Sequence, residues 1–150
     1  MKISAASPII LSLFPLFLLT CSESTPSHIT IKNVTVRQNI PPQTITAAYM
    51  AIHNTGPLTA LTSVSTPAAD ITELHAMTHD GNIMRMKKIN RLPIPANGSA
   101  TLQPRGNHLM LIGLKHNLIP GDSLALTLTF TNGQQQTVQA SITPINHLNP

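Results

Sequence analysis

The chain has 150 residues, enough for one domain, and only 3% of them are aromatic, so the core has to be built from aliphatic side chains. Its formal net charge of +4 is mild, and its basic residues cluster only at Arg85, Lys87, Lys88 and Arg91 without interleaved aromatic residues, which argues against a nucleic-acid partner. The single cysteine, Cys21, precedes the predicted domain, and this excludes a cysteine zinc site, a thiol nucleophile and a blue-copper centre within that domain.

The N-terminal stretch has the layout of a secretory signal peptide. Lys2 supplies one early positive charge, residues 9–19 are an apolar run interrupted by Pro15, and small polar residues follow. This apolar run is shorter than the segment that a membrane-spanning helix requires. We therefore predict a signal peptide over residues 1–21, with a membrane anchor or an N-terminal segment of the core as the alternatives.

Cys21 follows the residues "LLT", which loosely resemble a bacterial lipoprotein processing site, although Thr20 is bulkier than the small residue usual there. Lipidation of Cys21 is one hypothesis, and cleavage just after this cysteine is the other. The intact mass of the exported protein separates them, because an N-terminus at Ser22 or later leaves no cysteine for a lipid. In either case we expect residues 22–27 to form a linker and residues 28–145 to form the domain.

The domain segment consists of short strand-like stretches. Its β-branched and apolar residues fall into segments separated by Pro, Gly, Asn and Asp turn signals, and no amphipathic pattern long enough for a helix appears. The predicted strands lie at residues 28–37, 44–54, 61–66, 70–77, 83–89, 99–104, 108–115, 123–130 and 137–142. This pattern predicts an all-β domain, an antiparallel Greek-key β-sandwich of about nine short strands, with a small β-barrel as the alternative.

The clearest strand is "SLALTLTF", residues 123–130. Leu124, Leu126 and Leu128 alternate with small or polar residues, which is the pattern of a strand with one buried face. The dipeptide Asn132–Gly133 then predicts a hairpin into the last strand.

The stretch "ELHAMTHDGNIMRM", residues 73–86, concentrates histidine and methionine. If Asp80–Gly81 is a two-residue hairpin turn, His75 pairs with Met86 and Met77 pairs with Met84. All four side chains then share one face, because residues two apart on a strand point the same way. A three-residue loop would break this set. The opposite face carries Leu74, Ala76 and Ile83, which we expect to be core residues.

A second pair of soft groups lies at "HLM", where His108 and Met110 point the same way while Leu109 and Leu111 point toward the core. Two strands can thus present imidazoles and thioethers to a common point, without a carboxylate or a thiolate. Thioethers are soft, neutral ligands that suit Cu(I), and imidazole completes such a site. The competing explanation is that methionine fills gaps in the core and that each histidine is simply hydrogen-bonded.

The spacing H-x10-M-x21-H-x-M, with the flanks "ELHAM", "MRM", "HLMLIGLK", "AAYMAIHNTG" and "IPANGSATLQP", resembles the copper-binding motif of the periplasmic copper chaperone family known as PCu(A)C. The resemblance covers roughly residues 28–142. It implies a cupredoxin-like β-sandwich without the cupredoxin cysteine, with His75, Met86, His108 and Met110 as the ligands of Cu(I).

The same resemblance implies a function in the periplasm, where such proteins are linked to copper delivery to the CuA centre of cytochrome c oxidase. The expected partners are then cytochrome c oxidase subunit II and other copper-donating or copper-accepting assembly chaperones, and we expect a monomer. The chain departs from the family in two ways. It lacks a C-terminal extension rich in His and Met, and it has "PRGNH" where a Gly-Gly pair often precedes the second histidine.

Met77, Met84 and His79 lie outside the four-residue pattern. Met77 and Met84 either support the site, for example by offering an alternate thioether during transfer, or are ordinary residues at the surface or the edge of the core. We expect His79 to be exposed. Copper sequestration in the periplasm and a metal-free Ig-like interaction module are the alternative functions. We do not expect an enzyme, because no Ser-His-Asp arrangement and no paired carboxylates occur.

Overall fold

A computed structural model describes residues 28–81 and 83–145. The predicted signal peptide, Cys21 and the linker lie outside the described residues. The strands are β1 (Ile29–Arg37), β2 (Ile45–Asn54), β3 (Thr59–Ser65), β4 (Ala69–Asp80), β5 (Ile83–Lys88), β6 (Leu92–Ile94), β7 (Ser99–Leu102), β8 (His108–Leu114), β9 (Ser123–Phe130) and β10 (Gln135–Thr143). The all-β prediction is confirmed. Within the described residues there is no helix with the length and apolar character that a membrane crossing requires.

The strands form one continuous hydrogen-bonded path in the order β5-β4-β8-β2-β1-β10-β9-β3-β6, and β7 pairs with β2 beside this path. The path folds over so that its two halves enclose one core, to which β2, β8, β3 and β9 all contribute buried side chains. All the strand pairs are antiparallel except one, because β1 and β10 run parallel, with Thr35 opposite Ser141. The expected sandwich is therefore correct, and its antiparallel character holds for every other pair described.

Strand β6 was not predicted from the sequence. Leu92 and Ile94 are buried on either side of Pro93, and the strand pairs only with β3. Proline cannot donate a ladder hydrogen bond, so it is found at the edges of sheets. A three-residue segment with a proline at its centre gives no strand pattern, although this edge position accommodates one.

The alternating residues predicted for the core are confirmed for β8 and β9. Leu109 and Leu111 are fully buried, as are Leu126 and Leu128. The prediction for Ile83 was wrong, because its side chain is 56% exposed. Strand β5 lies at the end of the path, and all six of its residues are exposed, so no other part of the described chain packs over either of its faces.

A buried amide fixes the end of the molecule at which β2 terminates. Asn54 is 2% exposed, and its side-chain amide donates to the carbonyl oxygens of Pro57 at 2.7 Å and Pro95 at 3.1 Å. Its side-chain oxygen accepts from the backbone N–H of Gly56 at 3.0 Å. These bonds join the loop after β2 to the loop between β6 and β7, and they satisfy polar groups that burial would otherwise leave unpaired.

Candidate metal site

The β4–β5 hairpin carries the histidine- and methionine-rich stretch, but its register differs from the predicted one. Met77 lies opposite Met86, and His75 lies opposite Lys88. The predicted pairs, His75 with Met86 and Met77 with Met84, are therefore wrong. The reason is the turn. Asp80 still pairs within the ladder, opposite Ile83, so the turn lies beyond Asp80 and includes Gly81, whose φ is +60°.

The register is shifted by two residues, so the same side chains remain on one face. His75, Met77, Met84 and Met86 share this face as predicted, because a shift by an even number preserves the alternation of a strand. This face is opposite to the one that buries Leu74.

Strand β8 brings the second histidine beside the first. His75 pairs directly with His108 across the β4–β8 ladder, and their ring centroids are 5.8 Å apart. His108 is buried, with 8% of its surface exposed. The two imidazoles, which were predicted to face a common point, therefore lie side by side on adjacent strands.

His108 faces a thioether through an unprotonated nitrogen. Its Nδ1 lies 2.9 Å from the carbonyl oxygen of Gly106, and a carbonyl only accepts, so Nδ1 carries the proton. In the neutral ring Nε2 then has a free lone pair, and it lies 3.3 Å from Sδ of Met86. Two lone-pair donors thus face each other across a short gap.

In His75 the free nitrogen is Nδ1, whereas in His108 it is Nε2. Its Nε2 donates to Oε2 of Glu73 at 2.9 Å, so the neutral ring has its lone pair on Nδ1. This Nδ1 is buried and has no hydrogen-bond partner among the described residues. A buried polar atom without a partner is costly, so the site contains a nitrogen that needs a ligand.

Glu73 is the residue that sequence reasoning missed, because the cluster was expected to contain no carboxylate. Besides its bond with His75, Glu73 accepts from Nζ of Lys88 at 2.6 Å. The hydrogen bond from Lys88, and then the one from His75, hold the pKa of the Glu73 carboxyl below its usual value. The signal was present in "ELH", since Glu73 and His75 are two residues apart on one strand and therefore share a face.

Met110 occupies the neighbouring position on β8. It pairs with Glu73 on one side and with Ala47 on the other, so it shares the face of the histidines. Its partly exposed side chain lines a cavity of about 250 Å³ together with Arg37 and Thr46. The side chains of His75 and Met86 therefore both lie close to His108. Met110 lies two residues beyond His108 on β8.

The donor set suits a soft, singly charged metal ion. With the bond lengths of tetrahedral zinc sites, about 2.0 Å to nitrogen and 2.3 Å to sulphur, two ligand atoms lie about 3.5 Å apart. His108 Nε2 and Met86 Sδ, at 3.3 Å, are thus about as far apart as two ligands of one metal ion. Imidazole and thioether are both neutral donors, a combination that suits Cu(I). Within the described part of the chain, no group of three or more His, Cys, Asp or Glu side chains lies together as a metal site.

Comparison with known families gives a match over residues 29–142 to the family described as "Putative lipoprotein LpqE-like". The chain belongs to the LpqE-like family. A relative from Leifsonia xyli subsp. xyli, "Putative lipoprotein Lxx21020", is 33% identical over 100 residues, which is 65% of this chain. The match spans 60% of the length of that relative.

Solved structures share the fold of this LpqE-like chain. The solution structure of CuI-DR1885 from Deinococcus radiodurans is 35% identical, with a TM-score of 0.65 over 81% of this chain and 81% of that one. The copper-bound PCuAC domain from PmoF2 is 19% identical, with a TM-score of 0.68 over 77% of this chain and 92% of that domain, which is a likeness of fold alone. The predicted resemblance to the PCu(A)C family and its cupredoxin-like fold is confirmed.

Proposed function

We propose that this LpqE-like protein is a copper metallochaperone, which binds one Cu(I) ion as cargo and passes it to a partner protein. The ligands would be His75 through Nδ1, His108 through Nε2, and the sulphurs of Met86 and Met110. The relative from Deinococcus radiodurans, named for its Cu(I) form, supports the choice of ion.

One observation carries the proposal. Two histidine nitrogens with free lone pairs lie on the same face of adjacent strands, one without a hydrogen-bond partner in the described part of the chain and the other 3.3 Å from a thioether sulphur. This arrangement is unfavourable in the absence of a cation, because lone pairs repel and a buried nitrogen lacks a donor. A bound Cu(I) ion would relieve both conditions at once.

The surroundings of the site favour a cation of low charge. Four neutral ligands leave the charge of the ion uncompensated, and the carboxylate of Glu73, bonded to His75, offsets it. Lys88 bonds the other oxygen of Glu73 and reduces this negative charge in turn. The groups around the site thus carry little net negative charge, which suits the singly charged Cu(I) better than a doubly charged ion.

Cargo has to leave as well as bind, and Met86 provides the open side. Its side chain is 54% exposed at the edge of the sheet, whereas His108 is buried. An acceptor protein can therefore approach the ion past Met86 and replace the thioether first. The histidines, which are held by Gly106 and Glu73, would be released later.

We further propose export to the periplasm and delivery of copper to the CuA centre of cytochrome c oxidase, with subunit II or another assembly chaperone as the acceptor. The relative from Leifsonia xyli, named as a lipoprotein, supports export and a lipid on Cys21. A carrier of this kind performs no catalytic step on its cargo, so the proposal does not include an enzymatic activity.

The experiment is an anaerobic Cu(I) titration of the purified protein in competition with a chromophoric chelator. The wild type is expected to take one Cu(I) ion tightly. Met86→Leu and His75→Gln are expected to weaken binding by more than the roughly 10–100-fold that the loss of an outer partner costs. His116→Gln serves as the control, because His116 is exposed and outside the site.

Two results would overturn the proposal. If the wild type fails to compete with the chelator, the protein is not a Cu(I) carrier. If Met86→Leu and His75→Gln bind as tightly as His116→Gln, the ligand set is wrong. Circular dichroism of each variant separates loss of ligands from loss of fold.

A further inference from the structure

Two methionines, Met77 and Met84, extend the soft face of the β4–β5 hairpin beyond the four proposed ligands, next to the ligand Met86. Met77 lies directly opposite Met86, and Met84 precedes Met86 by two residues on β5. Directly opposed Cβ atoms are about 4.5–5.5 Å apart and diagonal ones about 7–8 Å, which long side chains span. The three thioethers are therefore within reach of one another on a single face.

These methionines are not core residues. The side chains of Met84 and Met86 are 46% and 54% exposed, and every residue of β5 is exposed. Methionine is usually buried as a filler of irregular gaps, and that role does not apply to a strand without a covering layer. The presence of two exposed methionines on one face of an edge strand therefore needs an explanation other than core packing.

The chemistry of the exposed group matches the chemistry of the proposed site. Thioethers are soft donors that favour Cu(I) over harder ions. Met86 belongs to both groups, because its sulphur is 3.3 Å from Nε2 of His108 and its strand position is next to Met77 and Met84. A Cu(I) ion held by the three thioethers would need to move only past Met86 to reach the histidines.

We propose that Met77, Met84 and Met86 form a second, weaker Cu(I) site, through which the ion enters and leaves the histidine site. This inference rests on the proposed function and adds a path to it. The exchange is a stepwise replacement of thioether ligands by imidazole nitrogens, and copper stays in the Cu(I) state throughout.

The charges of β5 explain why this second site is weak. Lys88 lies on the same face as Met84 and Met86, and Arg85 and Lys87 lie on the other face of the same short strand. The ammonium of Lys88 is bonded to Glu73, which reduces its repulsion of a nearby cation without removing it. Weak binding is what a transfer position requires, because an ion held tightly there would not move on.

The test separates the two sites by mutation. In the double variant His75→Gln, His108→Gln, an anaerobic Cu(I) titration against a weak chromophoric chelator is expected to leave one weakly held ion. Adding Met77→Leu and Met84→Leu to this variant should abolish that binding. Leucine keeps the apolar bulk and removes only the sulphur, so the hairpin should remain intact.

A kinetic experiment tests the same inference in a protein whose two histidines are intact. Met77→Leu, Met84→Leu is expected to keep the affinity for the first Cu(I) ion, and to slow its transfer to a competing chelator at least several-fold in stopped-flow measurements. Met50→Leu is the control, because Met50 is buried in the core away from the hairpin.

The outcomes distinguish this inference from the proposed function. If the wild type binds no Cu(I), the proposed function fails and the path fails with it. If the wild type binds Cu(I) but the double histidine variant holds none, or if the double leucine variant transfers copper as fast as Met50→Leu, only the second site is refuted.

Discussion

Glu73 is the residue that gives the two histidines different roles. Its carboxylate accepts the Nε2 proton of His75, whereas the carbonyl of Gly106 accepts the Nδ1 proton of His108. The two rings therefore present opposite nitrogens to the same space. The partner of an imidazole decides which nitrogen is free to bind a metal, and such outer partners matter nearly as much as the ligands themselves.

Replacing Glu73 should weaken copper binding through the orientation of His75. Glu73→Ala is expected to lower the Cu(I) affinity by about 10–100-fold, and Glu73→Gln by less, because an amide oxygen still accepts the Nε2 proton. Long-range ¹H–¹⁵N spectra of the metal-free protein should show His75 with its proton on Nε2 in the wild type and a mixture of tautomers in Glu73→Ala.

Asp122→Asn is the matched control, because Asp122 is an exposed carboxylate at the start of β9 and far along the sheet from the hairpin. An unchanged tautomer and an unchanged affinity in Glu73→Ala would show that the carboxylate only pairs with Lys88.

At the scale of elements, the β4–β5 hairpin depends on the backbone conformation of its turn. Gly81 has a φ of +60°, and a Cβ placed there would meet no atom within 4 Å. A side chain at this position is therefore opposed by backbone strain alone, about 1–2 kcal/mol for an L-residue. The same is true of Gly133, with a φ of +80°, in the β9–β10 hairpin.

This pair of glycines permits a controlled test of the hairpin. Gly81→Ala and Gly133→Ala should each lower the free energy of unfolding by about 1 kcal/mol in chemical denaturation. Only Gly81→Ala should speed the hydrogen exchange of the β5 amides and weaken Cu(I) binding, since only this turn positions Met86. Equal losses of Cu(I) affinity in the two variants would mean that the hairpin has no specific role.

The strands and their faces could be predicted because alternation is written into the sequence. The alternation of Leu124, Leu126 and Leu128 predicts the buried face of β9. The same alternation predicts that His75 and Met86 share a face. Exact pairing could not be predicted, because both the Asp80–Gly81 turn and the turn that begins at Gly81 preserve the alternation. The choice between them depends on backbone torsions that residue types constrain only loosely.

The side-chain contacts of the site could not be predicted from the sequence, for a different reason. The sequence shows that Glu73 lies two residues before His75, but not that its side chain turns toward the imidazole and Lys88. Side-chain direction of this kind depends on what adjacent strands place nearby. Glu73 bonds Lys88 of β5 and lies opposite Met110 of β8, a strand that is distant from the hairpin along the chain.

At the scale of the whole molecule, the proposed site lies at one edge of the sheet. The strand order β5-β4-β8-β2 places His75 and Met86 on the two outermost strands of that edge, and every residue of β5 is exposed. The loop anchor lies elsewhere, at the end of the inner strand β2, where Asn54 bonds Pro57 and Pro95. This arrangement leaves the copper-binding edge accessible to a large partner.

The proposed delivery of copper to cytochrome c oxidase predicts a defined defect in cells. A strain lacking the protein should have low oxidase activity in copper-poor medium, and added copper should restore it. Expression of His116→Gln should also restore the activity, whereas Met86→Leu should not, because the ion cannot be held without the exposed thioether. Normal oxidase activity combined with greater sensitivity to copper would instead favour sequestration.

The uncovered edge of β5 also bears on how copies of the protein meet one another. A free strand edge can pair with a second such edge, and an apolar edge makes this pairing a route to aggregation. Arg85, Lys87 and Lys88 occupy half of the six residues of β5. An antiparallel pair of two β5 strands would bring these cations close to one another, and like charges in facing positions are unfavourable. The basic residues thus let the protein keep its methionines in solvent while discouraging self-assembly into fibres.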